Sequence, residues 1–188
     1  MQHSILKFIL AFLLISSHLP VYSSSFFNDS KNPGYKLDLK LKKIFNESCL
    51  DSIKYSKSNS INFIKTLEKE TGCNFNISLS EEDEKTLDCV TILKHKDKMW
   101  SIWISINDKG LAHITETWET KDLSFLKTKF FFILKDMYKS LGNPTEISDD
   151  DLWFLWDRNK KNCGMIMITI VKDKGNSFVS RRLDLQNK

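Results

Sequence analysis

Regular alternation of apolar and polar positions predicts two groups of three strands in the second half of the chain. The alternation is clearest between Met99 and Asn107, where Trp100, Ile102, Ile104 and Ile106 fall on one face. Short polar turns separate the strands within each group, which is typical of an antiparallel meander. The predicted strands are Leu87 to His95, Met99 to Asn107, Leu111 to Glu119, Leu152 to Asp157, Gly164 to Lys172 and Phe178 to Leu185.

Apolar residues at three- and four-residue spacing predict a helix before each group of strands. Each helix is preceded by residues that favour the N-cap position and followed by a glycine, Gly72 or Gly142. The candidate N-caps are Asn59 or Ser60 for the first helix and Thr120 or Asp122 for the second. The segment Asn74 to Thr86 is expected to be a loop.

The predicted fold class is therefore α+β, with antiparallel strands in the order helix-βββ-helix-βββ. Gly72–Ser78 matches Gly142–Ser148 in its first residue and in its Ile-Ser ending, and each segment follows a helix directly. This match favours a tandem duplication of an α-βββ unit. The two units would either share one sheet or pack side by side.

The N-terminus has the order of regions found in a secretory signal peptide. Lys7 precedes the apolar run Phe8 to Ile15, and Val21-Tyr22-Ser23 resembles a cleavage site. An uncleaved anchor is the alternative, but this run falls short of the roughly 20 apolar residues that span a bilayer. We expect residues 1–23 to be the signal peptide, residues 24–58 to be a loose arm with a short helix within Leu41–Tyr55, and residues 59–188 to be the α+β domain. The mature protein would be secreted or periplasmic, with no transmembrane segment.

The chain has 188 residues and a formal net charge of +4, with basic and acidic residues mixed along its length. This mixture indicates a solvated surface and not a basic stripe, so no nucleic-acid partner is expected. The length that remains after export suits one domain with its own core.

All four cysteines lie after the predicted cleavage site, and an even number in an exported chain favours two disulfides. Three pairings exist. We favour Cys73–Cys89, which would close a short loop between the first helix and the first strand, together with Cys49–Cys163. A zinc site is the competing hypothesis, but the chain contains no CxxC pair.

Leu141-Gly142-Asn143-Pro144 at a helix end, followed by Trp153 and Trp156 at the start of a meander, resembles the signature of small BamE/SmpA-type envelope proteins. The tandem order, with Gly72-Cys73 after the first helix and Cys89 in the next strand, is similar to secreted β-lactamase-inhibitor-like domains. The resemblance covers residues 59 to 185. It implies an exported, non-enzymatic protein that presents a sheet face or loops to another protein.

No catalytic, metal-binding or cofactor-binding motif stands out in the sequence. His95 and His113 lie in predicted strands, but no GxSxG elbow accompanies them. The run Phe130-Phe131-Phe132 is expected to be packed core and not part of a cofactor site.

Tryptophan positions give the best candidates for a binding surface. Trp103 has the opposite strand parity to Trp100, and Trp153 has the opposite parity to Trp156. Trp103 is therefore either covered by a helix or exposed on a binding surface, and one of Trp153 and Trp156 can also point outward. The candidates for a binding surface are Trp103 and Trp153. Arg181 is a further candidate, as an ion-pairing contact.

The leading hypothesis is a protein-binding or inhibitor-like module that is not an enzyme. One alternative is a small secreted hydrolase, which a histidine beside a carboxylate in a cleft would favour. The other is a carrier of a small apolar ligand, which a deep cavity under Phe130 to Ile133 would favour.

Overall fold

The structure is a computed structural model that describes residues 31–46, 57–81, 85–148, 152–157, 165–173 and 176–185. Within these residues, three helices lie against an antiparallel sheet of eight strands. The helices are α1 (Pro33–Asn46), α2 (Lys57–Thr71) and α3 (Leu123–Leu141). The strands are β1 (Asn76–Leu79), β2 (Leu87–His95), β3 (Lys98–Asn107), β4 (Gly110–Thr120), β5 (Glu146–Ser148), β6 (Trp153–Asp157), β7 (Met165–Asp173) and β8 (Asn176–Asp184).

The sheet has the strand order β1-β2-β3-β4-β8-β7-β6-β5. Each half is a four-stranded meander that follows one helix, and the two halves meet where β4 pairs with β8. The predicted α+β class and antiparallel strands are confirmed, but four strands and not three follow each of α2 and α3.

The two strands that the sequence prediction missed are β1 and β5, at the two edges of the sheet. They are four and three residues long, and neither contains a buried residue. Because neither strand buries one side, the hydrophobic alternation that reveals strands in a sequence is absent. The predicted loop from Asn74 to Thr86 therefore contains a strand.

Helix α1 begins inside the segment that was predicted to be a loose arm. Pro33 suits the first helical position, where no backbone donor is needed, and the Asn32 side chain accepts a hydrogen bond of 2.8 Å from the Gly34 amide. Leu37, Leu41 and Phe45 are fully buried on one side of this helix. This part of the arm therefore belongs to the core, and the helix starts at Pro33, earlier than the predicted start at Leu41.

Capping residues define α3 as the sequence predicts. The Asp122 side chain accepts a hydrogen bond of 3.0 Å from the Phe125 amide, so Asp122 and not Thr120 is the N-cap. Gly142 follows the helix with φ of 79°, a backbone angle that favours glycine. None of the helices in the described ranges has the length and apolar character needed to cross a membrane.

The helices pack on one face of the sheet, which we call the covered face. Side chains from all the central strands form the core there, including Trp100 and Trp118, whose rings stack at 6.1 Å. No described helix packs on the other face, which we call the open face. The pairing register assigns each strand residue to one of these faces.

Candidate functional site

Trp103 lies on the open face of β3 and is 45% exposed. Its strand neighbours Ile102 and Ile104 point to the covered face and are fully buried. The Trp103 ring meets the His113 ring edge to face, at 5.7 Å between centroids. Trp103 is therefore held in place on one side and presents the rest of its ring outward.

Strand register places Trp103 second in a row that crosses the open face, which we call the Trp103 row. From β2 to β6, the row consists of Val90, Trp103, Thr115, Arg182, Met167 and Leu155. It therefore has apolar residues toward both flanks and polar residues on the central strands. Ile92, which is 53% exposed, extends the apolar flank on β2.

Trp153 also lies on the open face, as the sequence predicts, and is partly exposed. It sits two residues from Leu155 on β6, so it belongs to the second apolar flank. Four strand spacings separate β3 from β6, which puts the two tryptophans about 19 Å apart across the sheet. Ser101, Thr117, Ser180 and Thr169 fill the row between Ile92 and Trp153.

Arg181 does not lie on the open face. It is 3% exposed on the covered face and its guanidinium contacts the Glu116 carboxylate. Its neighbour Arg182 is on the open face and forms hydrogen bonds of 2.8 and 3.0 Å to the two carboxylate oxygens of Asp184. The arginine on the open face is therefore Arg182. Arg181 is buried and does not make the surface contact that was expected of it.

Acidic side chains outnumber basic ones among the described residues of the open face. The acids are Asp88, Glu119, Glu146, Asp157 and Asp184, and the bases are Lys94 and Arg182. The chain as a whole carries a net charge of +4, so its positive charge is concentrated elsewhere.

A serine, a histidine and an aspartate meet on the open face, which sequence spacing did not reveal. The Ser105 hydroxyl donates to Asp88 at 2.5 Å and lies 3.1 Å from His113 Nε2. The three residues are direct neighbours across β2, β3 and β4. Only the pairing register brings them together, because they are 17 and 8 residues apart in sequence.

The geometry of this group differs from that of a nucleophilic triad. In a triad, the histidine accepts the serine proton and the carboxylate contacts the histidine. Here the serine proton goes to Asp88, so His113 Nε2 must donate to the serine oxygen. Ser105 is also only 2% exposed. This arrangement ties three strands together and does not activate Ser105 as a nucleophile.

Phe130 is packed in the core as expected, but the expectation was wrong for Phe131 and Phe132, which are 37% and 38% exposed. The Phe130 ring lies 5.8 Å from the Phe154 ring and 5.7 Å from the Phe131 ring. Ile133, Leu134 and Met137 on the same helix are buried. Phe130 and these three residues are therefore part of the hydrophobic core.

A buried ionic group lies at the centre of the covered face. Burial raises the pKa of Glu116, and the positive charges of Arg181 and Lys129 offset part of this rise. Lys129 on α3 pairs with Asp38 on α1 at 3.4 Å, and the Arg181 guanidinium lies 3.9 Å from the centroid of the Phe45 ring. Helix α1 thus covers this group.

Cys73 and Cys89 are buried free thiols in the structure, so the predicted Cys73–Cys89 disulfide is not formed there. Burial raises the pKa of both, that of Cys89 to about 11 with help from the charges of Asp88 and Glu68. Cys49 and Cys163 lie outside the described residues, so the predicted Cys49–Cys163 disulfide falls outside them as well. No cluster of three metal-ligating side chains occurs within the described ranges.

Comparisons of the chain with protein-family models, curated proteins and solved structures find no match.

Proposed function

We propose that the chain is an exported, non-enzymatic module that binds a protein partner on the open face of its sheet. The observation that carries this proposal is the 45% exposure of Trp103 in the row that crosses this face. Tryptophan is among the residues that contribute most to protein interfaces, because a large rigid ring is desolvated there at little cost in entropy.

Apolar residues around Trp103 support the same proposal. Val90 is its direct cross-strand neighbour, and Ile92 lies two residues further along β2 with half of its surface exposed. On the other flank, Leu155 and Trp153 repeat this combination. Two apolar flanks with hydroxyl groups between them match the mixed composition of a non-obligate interface.

Charge on the open face narrows the class of partner. A partner with lysine or arginine side chains near Asp157 and Glu146, both exposed, would be attracted to this flank. We therefore propose a folded protein whose contact surface is basic around an apolar centre. Steering by these charges makes the association rate depend on salt.

We further propose that the domain arose by duplication of a helix-plus-four-strand unit. The units are α2 with β1 to β4 and α3 with β5 to β8, and in each the first strand starts five residues after the helix ends. A duplication of this kind would place two meanders side by side in one sheet. The resulting face is wide enough for a partner protein, in line with the resemblance to tandem inhibitor-like domains.

Export is part of the proposal and is supported by the leader pattern in residues 1–23. Mass analysis of protein recovered outside the cytoplasm tests it, because the mature chain should begin near residue 24. Peptide mapping of the same sample without reductant tests the Cys73–Cys89 and Cys49–Cys163 pairings. Full-length chain with every thiol free would contradict both.

The central experiment compares two exposed apolar positions on opposite layers. Tagged chain is expressed in cells that export it, and partners are captured with the original sequence, with Trp103→Ala and with Leu39→Ala. Leu39 lies on α1 and is 50% exposed, so it is a matched control. Capture of one protein should be lost with Trp103→Ala and kept with Leu39→Ala.

Equal capture by both variants would overturn the proposal that the open face is the docking surface. Light scattering during size-exclusion chromatography provides the second measurement. A dimer that dissociates only on Trp103→Ala would show that the occupant is a second copy, which contradicts the proposed foreign partner.

A further inference from the structure

A group of lysines surrounds a cavity of about 390 Å³ at the end of the β2–β3 hairpin, away from the Trp103 row. Its lysines are Lys94, Lys96, Lys98 and Lys121, and it also contains Asp97, Met99, Glu119 and Thr120. Four lysines and two acidic residues therefore line the cavity. Its volume falls within the range of small-molecule sites, about 300–1,000 Å³.

Both Asp97 and Lys98 are engaged in contacts within the protein. The Asp97 carboxylate accepts a hydrogen bond of 3.2 Å from the Thr120 hydroxyl. The Lys98 ammonium lies 4.2 Å from the centroid of the Phe125 ring and 3.9 Å from Asp122. These contacts fix one side of the cavity.

The other three lysines have no such engagement. Lys94, Lys96 and Lys121 are exposed, and among the described residues none of them forms an ion pair. Three like charges around one concavity repel each other, and the two carboxylates leave part of this positive charge unbalanced in the free protein.

The backbone at Lys96 gives an independent indication of function. Lys96 and Asp97 form the two-residue turn of the hairpin, and Lys96 has φ of 56°. Glycine, asparagine and aspartate are the residues that such turns favour, whereas lysine is strained there. Strained residues of this kind are concentrated in ligand-binding sites.

We propose that this cavity binds a phosphate monoester, with Lys94, Lys96 and Lys121 as the phosphate ligands. Because Lys98 is paired with Asp122, the three other lysines exceed the two carboxylates by one positive charge, which a phosphate group offsets. Lysine serves well as a point-charge partner for phosphate. The volume exceeds that of phosphate alone, and Met99 supplies an adaptable apolar surface for the rest of the ester.

The test is a titration of the folded chain with phenyl phosphate, monitored by amide chemical shifts in ¹H–¹⁵N spectra. Saturable shifts are expected for residues 94–99 and 119–121. The K94Q/K96Q/K121Q variant should weaken binding by about tenfold or more. The control is K65Q/K69Q/K139Q, which removes the same charge from exposed positions on α2 and α3 and should leave binding unchanged.

Vesicle sedimentation distinguishes two sources of a phosphate monoester, a lipid headgroup and a soluble ester. Phosphatidylcholine vesicles with and without phosphatidic acid are sedimented with the protein. Vesicle binding that requires phosphatidic acid and is lost in K94Q/K96Q/K121Q identifies a lipid headgroup as the ligand. If the protein does not bind these vesicles but still binds phenyl phosphate, the ligand is a soluble ester. The proposal would be overturned if the protein bound neither phenyl phosphate nor phosphatidic acid vesicles saturably, or if the control variant weakened binding as much as K94Q/K96Q/K121Q.

A single substitution, Lys96→Asn, tests the same site in case the triple variant does not fold. Asparagine tolerates positive φ better than lysine, so the melting temperature should not fall. Phosphate binding should still weaken, because one ammonium is removed. Full binding with Lys96→Asn would exclude Lys96 as a ligand.

Discussion

Glu116 on β4 and Arg181 on β8 are direct cross-strand partners, and their ion pair is buried where the two halves of the sheet meet. Both residues are on the covered face beneath α1, and Phe45 of that helix lies over the Arg181 guanidinium. The central strand pairing is thus fixed by an interaction between charges that water does not reach. Such a pair specifies an arrangement more clearly than it stabilises it.

Removal of one partner of this pair should destabilise the fold strongly. Glu116→Ala leaves the Arg181 charge buried without its acceptor, which typically costs about 3–5 kcal/mol. Replacement of both by leucine should recover most of this loss, because no unpaired charge remains. Unfolding in guanidinium measures the difference. The exposed pair Arg182–Asp184 is the control, with an expected cost of about 0–1 kcal/mol for either alanine variant.

The pH dependence of stability should reveal the raised pKa of Glu116. A carboxyl that holds its proton more tightly when folded stabilises the protein at low pH, and this stabilisation is lost as pH rises through the folded pKa. The free energy of unfolding relative to Glu116→Gln should therefore decrease from about pH 4 upward and then level off. The contributions of the other titrating groups largely cancel when the free energies of unfolding of the two proteins are subtracted. An increase with pH would show that Arg181 outweighs burial.

Central strands and the caps of α3 could be predicted from the sequence because their signals are local, whereas the expected N-caps Asn59 and Ser60 lie inside α2, which begins at Lys57. The boundaries of β2, β3 and β4 agree within one residue with the alternation of apolar positions. Asp122 and Gly142 mark the ends of α3 through their own backbone preferences. Edge strands and the start of α1 lack such signals, since pairing or packing with distant residues determines them.

The candidate site could be predicted only in part. Trp103 and Trp153 were found from strand parity, but the meeting of Ser105 with Asp88 and His113 depends on register, which sequence spacing does not contain. The placement of Arg181 had a signal that was missed. Val179 and Leu183 flank it at two-residue spacing, and both are fully buried, so Arg181 shares their covered face.

Truncation of the two tryptophans on β3 should reduce stability by different amounts. Trp100→Ala removes a fully buried ring that stacks on Trp118 and should cost about 3–5 kcal/mol. Trp103→Ala loses mainly its edge contact with His113 and should cost about 1 kcal/mol or less. Urea unfolding followed by circular dichroism gives both values. A large loss for Trp103→Ala would mean that this residue serves the core and not an interface.

Cys73 and Cys89 should resist alkylation in the reduced, folded protein. The thiolate is the reactive form, and burial with nearby negative charge raises the pKa of Cys89 to about 11. About one thiol in a thousand is then ionised at pH 8, compared with about a quarter for an unperturbed cysteine. The measurement is the rate of iodoacetamide modification in a C49S/C163S variant, which isolates the two described cysteines. Guanidinium should accelerate the reaction at both sites by removing burial, whereas rapid modification without guanidinium would show that these thiols are accessible in the folded state.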